Sequence, residues 1–155
     1  MGSEVLEQNF QHSCPSLVFT ILGGSDDRFT QHRLQKVVRW MPAIEELVLG
    51  FCPNLNNKEL LILGRGLTRL RRLQVERETA VSSRGFLRFL QLRGQNMNHL
   101  DIDLPSDFSL VNLRKMLELC PNLSDAGLYF ASRDDDPAAL TEASNIILPK
   151  TKLVN

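Results

Sequence analysis

Apolar positions recur along this chain every 26 or 27 residues. In each copy an apolar residue is followed by a second three positions on and a third two after that. The copies are Leu17-x-x-Thr20-x-Leu22, Ile44-x-x-Leu47-x-Leu49, Leu70-x-x-Leu73-x-Val75, Met97-x-x-Leu100-x-Ile102 and Leu123-x-x-Ala126-x-Leu128, with Thr20 standing at the second position of the first. Alternation at the end of each copy predicts a short strand with one buried face, because successive strand side chains point to opposite sides.

A second series runs in phase with the first. Thr30, Asn56, Ser82, Ser109 and Asp136 each fall 12 or 13 residues after a copy begins. All five carry a side-chain oxygen able to accept from a free N–H at a helix start. Four positions after each comes an apolar residue: Leu34, Leu60, Phe86, Leu113 and Leu140. Pro137 follows Asp136 at the first helical position, where proline is tolerated. Each unit therefore reads as strand, loop and capped helix.

The L-x-x-L-x-L phrase at this period resembles the leucine-rich repeat of the ribonuclease-inhibitor-like family. That resemblance implies an α/β solenoid of about five repeats, with a parallel sheet on the concave face and helices on the convex face. The expected organisation is one leucine-rich-repeat domain over 1–155. Within it, 3–14 is read as the helix of a preceding partial repeat, 17–147 as five repeats, and 148–155 as the start of a sixth or a tail. Both ends fall inside a repeat, so the chain is expected to be a piece of a longer array, with apolar surface bared at Phe10 and around Ile146, Ile147 and Leu148.

If the phrase fills the core, the residues between its positions line the concave face. One row is Phe19, Glu46, Arg72, His99 and Asp125, and the next is Ile21, Val48, Gln74, Asp101 and Gly127. A third is Gly23, Gly50, Glu76, Asp103 and Tyr129. Strands about 4.8 Å apart make these rows ladders. The expected binding face is an apolar patch of Phe19, Ile21 and Val48 beside an acidic field of Glu76, Asp101, Asp103 and Asp125 around His99 and Tyr129. Glu46, Arg72 and Gln74 connect the two. Such a face suits a protein ligand; an idle, solvated strand face is the structural alternative.

One repeat supports a narrower resemblance. Leu47-x-Leu49-x-x-Cys52-x-x-Leu55-Asn56-Asn57-x-x-Leu60 is similar to the cysteine-containing leucine-rich repeat, and Cys120-Pro121-Asn122-Leu123 looks like the opening of another. At the place of Cys52 the other repeats carry Ser25, Glu78, Pro105 and Ala131. Repeats of this class are typical of F-box leucine-rich-repeat proteins, the substrate receptors of cullin-based ubiquitin ligases. The resemblance implies a substrate-recognition role, with ubiquitin ligase subunits as partners through a region not in this chain. No Leu-Pro-x-Glu opening of an F-box occurs in the sequence. A leucine-rich-repeat scaffold or adaptor unrelated to ubiquitination is the alternative.

Composition narrows the other classes. The chain is 155 residues, 43% apolar and 23% charged, which fits a globular domain. No apolar run is long enough to span a membrane, so no membrane partner is expected. Three cysteines, Cys14, Cys52 and Cys120, cannot all pair, and Cys14 and Cys120 lie four repeats apart. Free buried thiols point to the cytoplasm or nucleus. No zinc spacing, phosphate loop or nucleophile motif is present, so neither enzyme activity nor a cofactor is expected.

Net charge is zero, but residues 28–93 hold thirteen basic against five acidic residues, while 1–27 and 94–155 are each −4. Arg33, Lys36, Arg39, Arg84 and Arg88 fall on expected helices, and Arg65, Arg69, Arg71 and Arg72 cluster at a helix-to-strand junction. Solvated helix faces account for most of this charge. Nucleic acid is not expected, because the aromatic residues offer no stacking platform. His99-x-Asp101-x-Asp103 is read as a charged strand face rather than a metal site: its ends are about 13 Å apart. Asp134-Asp135-Asp136 lacks the spacing and glycine of a calcium loop.

Overall fold

The computed structural model describes residues 18–22, 27–50, 52–53, 55–76 and 79–130. These form five strands, β1 (Val18–Leu22), β2 (Glu46–Gly50), β3 (Arg72–Glu76), β4 (His99–Leu104) and β5 (Asp125–Phe130). Between them lie four helices, α1 (Asp27–Trp40), α2 (Asn57–Gly66), α3 (Ser83–Arg93) and α4 (Leu110–Leu119), with a 3-10 turn over Gly94–Asn96. The strands make one sheet in the order β1-β2-β3-β4-β5, every neighbouring pair parallel. Strand and helix alternate along the chain, each strand lying beside the one before it.

The alternation read from the sequence holds over β2 to β5. Leu47, Leu73, Leu100 and Ala126 are aligned across the sheet and buried, as are Leu49, Val75, Ile102 and Leu128. A third buried row, Ile44, Leu70, Met97 and Leu123, precedes the strands. The helices close the same core with Leu34 and Val37, Leu60 and Leu63, Phe86, Phe89 and Leu90, and Leu113 and Met116. Phe86 packs against Phe89 and Phe108 at centroid distances of 6.5 and 6.0 Å.

Three of the expected caps are in place. The Asn56 carboxamide accepts from the amides of Lys58 and Glu59 at 2.9 and 3.4 Å, and Glu59 accepts from the Asn56 amide at 3.0 Å, a reciprocal capping box. Ser82 accepts from the Gly85 amide and Ser109 from the Asn112 amide. Straps run between the helix starts as well. The Asn57 carboxamide accepts from the Ser82 amide and donates to the Ser82 hydroxyl, both at 2.9 Å. The Asp107 carboxylate accepts from the Ser83 amide and hydroxyl, both at 2.8 Å.

Two expectations are corrected. Thr30 is not a cap: α1 begins at Asp27 and Thr30 lies within it. β1 joins the sheet one residue out of the expected phase, with Phe19 opposite Leu47 and Ile21 opposite Leu49. Val18, Thr20 and Leu22 thereby stand opposite Glu46, Val48 and Gly50. A slip of one residue exchanges the two faces of a strand. It aligns Phe19 and Ile21, rather than Thr20, with columns that are buried in β2. The segments 3–14 and 148–155, the cap at Asp136, and Phe10, Ile146 and Leu148 lie outside the described residues.

Candidate binding face

Between the buried columns, the opposite side of β2 to β5 presents the rows read from the sequence. The first aligns Glu46, Arg72, His99 and Asp125. Its charges pair at the two ends. Glu46 Oε2 lies 3.4 Å from Arg72 Nε, and Asp125 Oδ2 lies 2.8 Å from His99 Nδ1. An ionised carboxylate only accepts, so the proton of this contact sits on Nδ1. The result is a ladder reading acid, base, base, acid across four strands.

The second row aligns Val48, Gln74, Asp101 and Gly127. A Cβ built on Gly127 would stand 2.9 Å from Asp101 Oδ1 and 3.5 Å from Tyr129 Cε2. The missing side chain is what lets the Asp101 carboxylate and the Tyr129 ring both close over the β5 backbone. In the third row Asp103 is aligned with Tyr129. Tyr129 is 41% exposed, one of few large apolar side chains among the described residues to be so. Glu76 ends β3, aligned with Gly50.

The structure therefore assembles Asp101, Asp103, Asp125, His99 and Tyr129 on β4 and β5, with Glu46, Val48, Arg72 and Gln74 on the adjoining strands. In the register of the sheet, Phe19 and Ile21 pair with Leu47 and Leu49 rather than with Glu46 and Val48. Val18 and Thr20 take the register positions opposite Glu46 and Val48. Sequence reading missed the part played by Gly127. The glycine between core positions Ala126 and Leu128 was its only signal.

The rest of the expected chemistry can be located too. His99, Asp101 and Asp103 do not converge: among the described residues no group of three or more His, Cys, Asp or Glu is placed to hold a metal ion. Cys52 and Cys120 are buried thiols, neither of them in a disulfide. Burial pushes the Cys120 thiol up to about 12. No helix among the described residues is long and apolar enough to cross a membrane. On the helix side Arg84 and Arg88 are exposed, and the Lys36 ammonium sits 5.2 Å from the centre of the Trp40 ring.

No family model matches the chain, and no curated protein matches it either. Among solved structures, the chain is similar to a chain in the crystal structure of the Rad7 and Elc1 complex in yeast, with a TM-score of 0.62 and 18% identity. The match covers 74% of this chain and 28% of that one, so the present chain spans under a third of that protein's length. At this identity the likeness speaks to the fold: an α/β, repeat-like arrangement of helices along a parallel sheet.

Proposed function

We propose that the face carrying His99, Asp101, Asp103, Asp125 and Tyr129 binds a protein. On this reading the chain is a leucine-rich-repeat solenoid acting as the substrate-recognition region of an F-box-like ubiquitin ligase receptor. The observation that carries the binding reading is the half-exposed Tyr129, held beside the Asp101 carboxylate over Gly127 and aligned with Asp103. An exposed aromatic ring inside a charged field is the usual make-up of an interface anchor and its rim. The acidic rim favours a basic segment on the partner, and Tyr129 with Val48 supplies apolar contact. The link to ubiquitin rests on the Cys52 repeat and the Cys120-Pro121-Asn122-Leu123 opening. A scaffold without that link would use the same face.

Affinity capture from cytosolic and nuclear extracts tests both parts. Wild-type chain, Tyr129→Ala and the Asp101→Lys/Asp103→Lys double variant are compared by quantitative mass spectrometry. The proposal expects a defined set of proteins that both variants lose and that Arg84→Glu/Arg88→Glu retains. If the receptor reading holds, those proteins rise in cells when the gene is silenced. Unchanged levels would leave the scaffold reading, and loss on the Arg84 and Arg88 variant alone would overturn the face.

A further inference from the structure

A second polar surface lies off the strand face, where the chain enters β3, β4 and β5. A groove of about 650 Å³ runs across these entries. One wall is a row one residue before the first strand ladder: Glu45, Arg71 and Asn98. The other is a row two residues earlier again: Arg69, Asn96 and Asn122. The buried row of Ile44, Leu70, Met97 and Leu123 falls between them in sequence.

The groove is built rather than accidental. Along its first wall each carbonyl accepts two amides of the next repeat. Glu45 O takes the amides of Arg71 and Arg72 at 2.8 and 3.0 Å, and Arg71 O those of Asn98 and His99 at 2.9 and 3.2 Å. Asn98 O takes those of Ser124 and Asp125 at 3.0 and 3.1 Å. Along the second wall Asn96 Nδ2 donates to Thr68 O at 3.2 Å and Asn122 Nδ2 to Gln95 O at 2.7 Å. The backbone of the groove is thus fixed before any ligand arrives, which lowers the cost of binding.

Its free chemistry is mainly donor and cationic. Among the described residues the guanidinium groups of Arg69 and Arg71 have no ion pair or side-chain hydrogen bond, and the amides of Gln95 and Asn98 have no side-chain partner. Glu45 offsets only one of the two positive charges. Guanidinium forks match carboxylates in pairs of parallel hydrogen bonds, and primary amides match a peptide main chain with a donor and an acceptor each. Phosphates of a single-stranded nucleic acid could meet the same arginines, but no aromatic residue lines the groove to stack a base.

We infer that this groove binds an extended acidic peptide segment, with carboxylate side chains on Arg69 and Arg71 and main-chain groups on Gln95 and Asn98. It is a different site from the strand face, with the opposite charge preference, and it stands whether or not that face binds a protein.

The test is fluorescence polarisation with dye-labelled peptides of alternating Asp and Ser, Asn and Ser, or Lys and Ser, and with an oligothymidine. The Asp peptide is expected to bind best at low salt, about 50 mM, and to weaken about tenfold at about 300 mM. Arg69→Glu/Arg71→Glu is expected to abolish binding, and Asp101→Lys/Asp103→Lys to leave it. Arg69→Gln/Arg71→Gln keeps donors while removing charge, and it decides the matter if the Glu variant does not fold. With an unchanged melting curve by circular dichroism, the Gln variant should still lose about tenfold in affinity. The inference is overturned if the Asp peptide binds no better than the Asn peptide or if the Gln variant binds as wild type does. Tighter binding of oligothymidine through the same arginines would overturn it as well.

Discussion

The His99 imidazole donates from Nδ1 to the Asp125 carboxylate at 2.8 Å, tying β4 to β5 on the open side of the sheet. The Asp125 side chain is 60% exposed, so water and salt screen the pair. Exposed pairs of this kind contribute about 0–1 kcal/mol. Asp125→Asn is therefore expected to lower stability by less than about 1 kcal/mol in urea titration. A loss well above that would make the pair part of the fold's support rather than of its surface.

Leu73 sits at the middle of the buried column formed by Leu47, Leu73, Leu100 and Ala126, and is 1% exposed. Leu73→Ala removes packing from β2, β4 and the helix layer at once. The expected loss is about 2–5 kcal/mol, the transfer term plus the cavity left behind. Chemical denaturation checks it, and a change below about 1 kcal/mol would mean that the core collapses around the gap.

Gly85 gives a prediction opposite to helix propensity. By propensity alone, Gly→Ala within a helix gains about 1 kcal/mol. Here a Cβ on Gly85 would run into the Asn57 carboxamide, the group that straps α2 to the Ser82 cap of α3. Gly85→Ala is expected to destabilise by about 1–3 kcal/mol. Asn57→Ala should itself cost about 1 kcal/mol, since it strips one partner from the cap. A rise in melting temperature for Gly85→Ala would show that the strap yields at no cost.

Cys120 offers a test of burial. Burial disfavours the thiolate and raises the Cys120 thiol from its ordinary 9.0 to about 12. Iodoacetamide at about pH 8 should therefore label Cys120 only as fast as the chain opens, with the rate rising in urea. Between pH 9.0 and about 12 the unfolded chain gives up this proton while the folded chain keeps it. The unfolded state then binds fewer protons, so stability falls as pH rises past about 9. Rapid labelling in native buffer would contradict the buried placement.

Most of the arrangement on β2 to β5 was legible because one period carries both the buried columns and the caps at Asn56, Ser82 and Ser109. Legibility failed where the pattern was weakest. In the first copy Thr20 stands where the phrase expects an apolar core residue while Phe19 and Ile21 flank it, and the observed register differs by one residue, with Phe19 and Ile21 opposite Leu47 and Leu49. Thr30 has the residue type of a cap, yet α1 extends past it to Asp27. The straps at Asn57 and Asp107 do not recur with the period, so a periodic reading could not find them. The groove residues Arg69 and Arg71 were visible only as a charge cluster. What brings them together with Gln95 and Asn98 is the backbone ladder between repeats.

If the strand face around Tyr129 is the protein-binding surface, the affinity of a captured partner depends on that face and not on the helices. A captured partner is titrated against wild-type chain, Tyr129→Ala, Asp101→Lys/Asp103→Lys and Arg84→Glu/Arg88→Glu at two salt concentrations. Tyr129→Ala should weaken binding at both salts by about 1–2 kcal/mol, as loss of an aromatic anchor does. Charge reversal at Asp101 and Asp103 should weaken it more at low salt than at high salt. The Arg84 and Arg88 variant should bind as wild type. The opposite pattern, with the strand-face variants unchanged and the Arg84 and Arg88 variant unable to bind, would place the working surface on the helices and contradict the account.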